Sequence, residues 1–296
     1  MTHSRALAGM LIVTLLWSTA GVVTRHLDAA RGFEVTFWRS AFTALTLAVY
    51  LALVHGRGTV ELIRRGGRAL WISALMWSVM FTCFMLALTL TTVANVLITL
   101  SLAPVFTAVV ARVVLGHRVP PRTWVAIAAA GAGIAWMFSG RLSADPIHLL
   151  GSLVAVCVPV AGAINWTTLQ RSGTTVDLLP ALLIGALISC AVTLPLAWPF
   201  DASAHDVVLL GGLGIFQLAI PCMLAVRIAS RLPAPEVALL GLLEVVFGIA
   251  WAWLGAGEEP GPRVLVGGSV VLSALALNEL VGVRSRRRAT AAGIVA

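Results

Sequence analysis

Charged residues are scarce in this sequence. Only 11% of its 296 residues are charged and 59% are hydrophobic, whereas soluble domains usually carry about 25% charged residues. Lysine is absent, because every basic side chain other than histidine belongs to an arginine. A water-soluble fold could not cover so much apolar surface, so the composition excludes an ordinary soluble protein.

Signatures of catalysis and cofactor binding are also missing. The four cysteines lie inside apolar stretches without the paired spacings of metal sites or disulfides. The sequence has no Walker motif, dinucleotide glycine fingerprint or acidic metal loop. We therefore expect no cofactor, no metal and no catalytic residues. A net charge of +8 is also typical of nucleic-acid-binding proteins, but the arginines lie mostly in short connections, so we expect no nucleic-acid partner.

Long apolar runs dominate what remains. A helix of about 20 apolar residues crosses a hydrocarbon core of about 30 Å, and the runs are continuously apolar, unlike barrel strands. The sequence predicts an all-α integral membrane protein of ten transmembrane helices. The predicted spans are Leu7 to Thr24, Phe33 to Val54, Ala69 to Leu88, Val93 to Leu115, Arg122 to Ser139, Leu149 to Leu169, Leu178 to Trp198, Val207 to Ala229, Pro235 to Leu254 and Val264 to Val281.

The arginines predict the orientation, because cytoplasmic loops collect basic residues. With the N-terminus inside, four arginines fall outside: Arg25, Arg31, Arg141 and Arg263. Fifteen fall inside: Arg5, Arg57, Arg64, Arg65, Arg68, Arg112, Arg118, Arg122, Arg171, Arg227, Arg231, Arg284, Arg286, Arg287 and Arg288. We expect the protein to lie in a bacterial-type inner membrane, with both termini on the cytoplasmic side. The tail after residue 283 is expected to lie against anionic lipid.

The sequence repeats itself at a distance of 141 residues. This shift aligns Leu102–Phe106 with Leu243–Phe247. Further identities are Gly116 with Gly257, Pro121 with Pro262, Arg122 with Arg263, and Ala135 with Ala276. The repeat holds five spans, an odd number, so its second copy must be inverted in the membrane. We predict a first repeat over 1–141, an inverted second repeat over 142–283 and a basic tail over 284–296.

Inverted repeats with a central polar site are a recurrent plan of secondary transporters. The predicted function is therefore transport of a small organic solute by alternating access, without ATP hydrolysis. A membrane-embedded enzyme is the alternative from another class, and it would need reactive groups converging near one interface. A non-transporting scaffold is a further alternative.

Two segments resemble a known family. Ala87 to Trp124 is similar to the first half-repeat, and Gly214 to Pro260 to the second, of EamA-type members of the drug/metabolite transporter superfamily. The resemblance implies export of amino acids, including aromatic and hydrophobic ones, or of drug-like amphiphiles, with YddG-type amino-acid exporters the nearest likeness. The sequence departs from the family at His117, where glutamate is frequent, and at Val245, where the family has proline. The resemblance therefore leaves a helix break at Val245 open.

Charged groups inside a membrane are costly and need a partner or a function. Glu244 lies deep in the ninth span, where it could bind a substrate amine, carry a coupling proton or tie helices together. Arg39 lies within the second span, and we expect a structural or gating role for it, with a substrate-carboxylate site as the rival. Proton coupling is thus a possible feature of this protein.

Uncharged polar and aromatic groups complete the predicted substrate site. Amides and hydroxyls line a cavity or join helices, and deep tryptophans form a wall for an apolar or cationic solute. The candidates are Trp17, Trp77, Asn95, Thr99, Asn165, Trp166 and Gln217. Pro104 and Pro221 fall inside spans and predict kinks that allow gating. Runs of small residues near Gly131 and Gly268 predict close helix packing, in a monomer or a weak homodimer.

Overall fold

A computed structural model describes residues 3–24, 26–91, 93–116, 119–139, 146–173, 176–257 and 261–291. Within these ranges the chain is helical and contains no strand. By span, the helices are His3–Trp17 with Ala20–Thr24, Gly32–His55, Gly58–Leu90, Val93–Leu100 with Ala103–Leu115, Pro121–Phe138, Pro146–Ser172, Leu179–Ala197, Ala204–Gly212 with a π-helix Leu213–Ala219 and Ile220–Ala229, Ala234–Gly241 with Leu243–Ala256, and Pro262–Ala291.

The helical segments match the predicted spans. In the described part of the chain, nine of them are long and apolar enough to cross a membrane. The remaining predicted span is the helix Pro121–Phe138, which has 18 residues. A helix satisfies its backbone hydrogen bonds internally, as lipid requires. The all-α membrane fold predicted from the sequence is confirmed.

Equivalent spans of the two repeats contact each other. The second span packs on the seventh, the fourth on the ninth and the fifth on the tenth. Contacts between such counterparts arise when a two-fold axis relates the repeats. The architecture is therefore the predicted pair of five-helix repeats, packed around a shared centre.

The fifth and tenth spans cross at two glycines. A Cβ atom added to Gly267 would lie 2.4 Å from the carbonyl oxygen of Gly133 and 2.2 Å from Cγ of Met137. Only glycine permits this approach of two backbones. The small-residue runs predicted from the sequence thus pack against each other within one chain.

Several spans are interrupted near the middle of the bundle. In the ninth span, the Leu242 amide donates to the Leu239 carbonyl and the Val245 amide to the Leu242 carbonyl, both at 3.1 Å. These bonds span three residues and tighten the helix into a short turn. The fourth span breaks at the repeat-equivalent place, between Leu100 and Ala103. The ninth helix therefore breaks although its sequence has no proline at Val245.

Two prolines lie at these interruptions. Pro104 stands in the first turn of Ala103–Leu115, where its missing amide hydrogen is tolerated. Pro221 stands in the first turn of Ile220–Ala229, directly after the π-helix. Its ring would crowd the carbonyl of Gln217, four residues earlier. The wider π-helical turn accommodates this crowding.

Candidate functional site

The interruptions of the first and eighth spans lie side by side, and the ninth span packs against the first. Trp17 is the last residue of its helix, and its carbonyl accepts a hydrogen bond of 3.1 Å from Nε2 of Gln217 in the π-helix. A Cβ atom on Gly248 of the ninth span would lie 3.8 Å from the Ser18 carbonyl oxygen. Polar backbone groups are thus gathered in the interior, at the boundary between the repeats.

Two opposite charges face each other at this place. The Arg39 side chain is only 3% exposed. Glu244 is half-buried in the first turn of Leu243–Ala256. Arg39 and Glu244 interact electrostatically with each other and with the Cys222 thiol. Among the described residues, no salt bridge within 4.0 Å joins the two charges, and the buried Nε of Arg39 has no hydrogen-bond partner.

The backbone around Arg39 is held firmly. The Thr43 hydroxyl donates to the Arg39 carbonyl at 2.8 Å and lies 3.0 Å from the Gly214 carbonyl in the eighth span. A Cβ atom on Gly214 would lie 2.7 Å from the Arg39 carbonyl oxygen. The backbones of the second and eighth spans are therefore in direct contact. This contact holds the backbone of Arg39, and so the base of its side chain, in place.

Aromatic rings form a wall beside the charges. The Trp17 and Trp166 ring centroids are 6.3 Å apart, and Trp77 meets Trp166 edge to face at 5.5 Å. Phe81 continues the row, 5.5 Å from Trp77. In the described structure the buried indole nitrogen of Trp77 has no hydrogen-bond partner. The first, third and sixth spans together supply this aromatic wall of Trp17, Trp77, Phe81 and Trp166.

Buried amides add polar groups to the same region. Asn165 is fully buried, and its Oδ1 accepts a hydrogen bond of 2.7 Å from the Ser73 hydroxyl. Within the described chain its Nδ2 and Oε1 of Gln217 lack partners. An unsatisfied buried polar atom costs about 1–3 kcal/mol. These free donors and acceptors are therefore available to a bound molecule or to water.

Apart from Trp77 with Phe81, these pairings join the two repeats. Trp17, Arg39, Ser73 and Trp77 belong to the first, and Asn165, Trp166, Gln217, Cys222 and Glu244 to the second. We call this set, together with Phe81, the central cluster. It contains most residues predicted from the sequence.

Other predicted residues lie in the fourth and eighth spans. Thr99 is half-buried near the end of Val93–Leu100, and its carbonyl accepts from the Leu102 amide at 3.1 Å. Pro104 lies in the first turn of the next helix, Ala103–Leu115. The Asn95 side chain lies outside the described residues. Pro221 directly precedes Cys222 and shapes the π-helix that carries Gln217.

Ser73, Phe81 and Cys222 were not predicted as site residues. A signal for the first two was present, because Ser73, Trp77 and Phe81 follow one another at intervals of four and so share one helix face. Cys222 carried no such signal, since a small residue in an apolar span resembles any core residue.

At the end of the bundle opposite the termini, hydrogen bonds to a buried carboxylate join the two repeats. The Asp206 carboxylate accepts hydrogen bonds from the amides of Asp28, Ala29 and Ala30 at 2.7–3.0 Å. Asp206 also accepts from its own N-cap, the Ser203 amide, at 3.2 Å. These bonds join the loop after the first span to the eighth span, hence one repeat to the other. Asp28, His205 and Asp206 are close enough together for metal binding, but the Asp206 oxygens are already occupied by backbone amides.

A second carboxylate closes the same end. Glu34, at the start of the second span, accepts from the amides of Asp201 and Ala202 at 3.2 and 2.9 Å. The Trp38 indole also donates to it, at 3.3 Å. Two buried carboxylates therefore bind two loops across the repeat boundary.

The end that carries the termini contains a cavity of about 350 Å³. Polar groups on its wall include Tyr50, to which Arg227 donates a hydrogen bond, and His55, which lies 3.8 Å from Asp177. The His55–Asp177 contact joins the repeats at the end opposite to the Asp206 and Glu34 contacts. The Arg227–Tyr50 hydrogen bond and a contact of 3.1 Å between His3 and Glu236 also join the repeats at this end. The two ends therefore differ in the groups that join them, since backbone amides bind carboxylates at one end and side chains pair around a cavity at the other.

A bundle of two repeats, with interrupted helices and polar groups meeting between them, is a plan that recurs among membrane transporters. A model of the EamA-like transporter family matches the sequence twice, over residues 4–139 and 149–279. The chain belongs to the EamA-like transporter family, and it is a multi-pass membrane protein. The predicted resemblance to the drug/metabolite transporter superfamily is confirmed.

A solved structure shares the fold. It is titled only "Crystal structure of protein", and it superposes with a TM-score of 0.77 at 17% sequence identity, over 96% of this chain and 99% of that chain. Identity this low shows a common fold and nothing about the solute. A comparison with curated proteins found no match.

Proposed function

We propose that this protein exports small organic solutes, above all amino acids including aromatic and hydrophobic ones, by alternating access. The observation that carries the proposal is the central cluster, where a buried arginine, a carboxylate and tryptophans meet between the repeats. Amides and charges of both signs suit an amino-acid backbone, and indole rings suit an apolar side chain. The substrate residues would be Trp17, Trp77, Asn165, Trp166, Gln217 and Glu244, with Asn95 and Thr99 as further candidates.

The presence of a cavity at one end of the bundle supports alternating access. One end is joined by the Asp206 and Glu34 carboxylates, while the other holds a cavity. We place the protein in a bacterial-type inner membrane with both termini in the cytoplasm, as the arginine distribution favours. The cavity then faces the cytoplasm, the side from which an exporter is loaded.

The repeats would move as units in this cycle. We assign them to residues 1–141 and 142–283, with a basic cytoplasmic tail over 284–296, and the two family matches lie within these bounds. Pro104 and Pro221, at interrupted helices, are the proposed gating elements. We propose that a monomer suffices for transport, since the central cluster draws residues from both repeats of one chain.

Efflux of drug-like amphiphiles is the second candidate. It is favoured by the aromatic wall beside the Glu244 carboxylate, since indole faces and a carboxylate both attract an organic cation. A drug exporter would accept cations that lack a carboxylate.

A substrate panel separates these candidates. The purified protein in proteoliposomes should take up tryptophan, phenylalanine or leucine faster than protein-free vesicles, and organic cations no faster. Uptake of cations without amino acids would support drug efflux instead. A flat result with every compound would remove transport of these solute classes from the account.

A further inference from the structure

Arg39 and Glu244 are held apart in a way that a structural ion pair would not require. A buried charge is stabilised by direct contact with its partner and by hydrogen bonds. Arg39 is almost fully buried, yet its Nε has no hydrogen-bond partner among the described residues. Glu244 interacts with it electrostatically, but no direct salt bridge forms between them in the described structure. The arrangement leaves both charged side chains able to bind a third molecule.

Charge balance restricts which charged groups this bound molecule carries. A bound cation would compensate Glu244 and leave Arg39 facing a like charge. A bound anion would compensate Arg39 and repel Glu244. A molecule with a carboxylate and an ammonium group satisfies both at once and adds no net charge to the interior. Burying an unpaired charge is the most costly alternative.

We propose that Arg39 binds the carboxylate, and Glu244 the ammonium group, of a zwitterionic α-amino acid that bridges them. This assignment rests on the proposed transport function. It adds that the protein recognises both charged groups of the solute. Gln217 offers its unpartnered Oε1 to the ammonium group from the π-helix. The solute side chain then lies toward Trp17, because the Cys222 thiol interacts with Trp17 as well as with both charges. The Trp166 ring lies 6.3 Å from the Trp17 ring.

Arg39 suits a carboxylate because the planar guanidinium presents paired donors that match the two carboxylate oxygens. Its position is fixed by the close contact of the second and eighth spans at Gly214. Lysine at this place would keep the charge but lose the paired geometry. Arg39 is therefore assigned as a specificity-determining residue, not only a helix-packing one.

Competition among matched solutes tests the assignment in the wild-type protein. Proteoliposome uptake of labelled tryptophan is measured against unlabelled tryptophan, tryptophanamide, which lacks the carboxylate, and indole-3-propionate, which lacks the ammonium group. We expect each one-charge analogue to compete at least tenfold more weakly than tryptophan. Equal competition by all three would overturn the bridging assignment while leaving transport intact. Absence of tryptophan uptake, together with uptake of other solutes, would instead show that the proposed substrate class is wrong.

Variants then assign the carboxylate to Arg39. In Arg39→Gln the advantage of tryptophan over tryptophanamide should fall at least fivefold, while its advantage over indole-3-propionate falls less. Arg39→Lys should lie between, and the exposed control Arg64→Gln should match wild type. If the Arg39→Gln protein keeps the full wild-type preference for solutes with a carboxylate, Arg39 does not bind the solute carboxylate. If Arg39→Gln is not recovered as a folded protein, Arg39→Lys and the wild-type competition series decide the question.

Discussion

Replacing Glu244 by glutamine is expected to abolish the response of transport to an imposed pH gradient. The substitution keeps the shape of the side chain and removes its ability to bind and release a proton. If Glu244 binds either a proton or the ammonium group of the solute, the proton and the solute compete for the same carboxylate. Export of the solute is then coupled to entry of a proton. The charged and titratable groups that interact with Glu244 are Arg39 of the second span and Cys222 of the eighth.

The measurement is tryptophan flux in proteoliposomes with and without a pH difference across the membrane. The wild-type protein should change its rate severalfold with the gradient, and Glu244→Gln should transport at a low rate that does not respond. Glu61→Gln, which alters an exposed carboxylate bound to Arg65, serves as the control and should respond as wild type does. A pH response of wild-type size in Glu244→Gln would show that coupling does not pass through this carboxylate.

Replacing Trp166 by alanine is expected to weaken the apparent affinity for tryptophan about tenfold, which corresponds to about 1.4 kcal/mol. Trp166 is the only ring that contacts both Trp17 and Trp77 among the described aromatic pairs. Aromatic pairs contribute about 0.5–1.5 kcal/mol beyond the area that they bury. Removing Trp166 therefore opens the aromatic wall at its centre.

The half-saturating concentrations of tryptophan and alanine are compared in the same vesicles. The loss should be large for tryptophan and small for alanine, because alanine has no ring to place against the wall. Trp71→Ala is the matched control, since Trp71 is 56% exposed on the outside of the bundle. An equal loss for both amino acids would assign Trp166 to packing of the third and sixth spans.

The spans were predictable because hydropathy and helix length depend on local sequence alone. The internal repeat was also readable, since Leu102–Phe106 and Leu243–Phe247 keep their register over 141 residues. Helix interruptions were predictable only at prolines, as at Pro104. The break at Leu242 arises from hydrogen bonds that span three residues, and no residue type in the sequence marks such a turn.

The site was harder to predict than the fold. Trp77 and Trp166 were candidates because they lie deep in their spans, but their edge-to-face contact depends on how the third and sixth helices are rotated. Arg39 was visible as a charge in an apolar run, and the sequence favoured a packing role. The lack of a hydrogen-bond partner at its Nε depends on which groups the neighbouring helices present, and one sequence does not determine that. The roles of all these residues remain predictions.

Counterflow requires a binding site that is exposed to one side of the membrane at a time, so it is a direct test of alternating access. Proteoliposomes are loaded with unlabelled tryptophan and diluted into a trace of labelled tryptophan, with no pH difference. We expect the label to rise inside above its external concentration and then to decline, and vesicles with the Arg39→Gln protein to show little of this overshoot. A channel or a scaffold would give no overshoot, and its absence in vesicles that hold folded wild-type protein would contradict transport by alternating access.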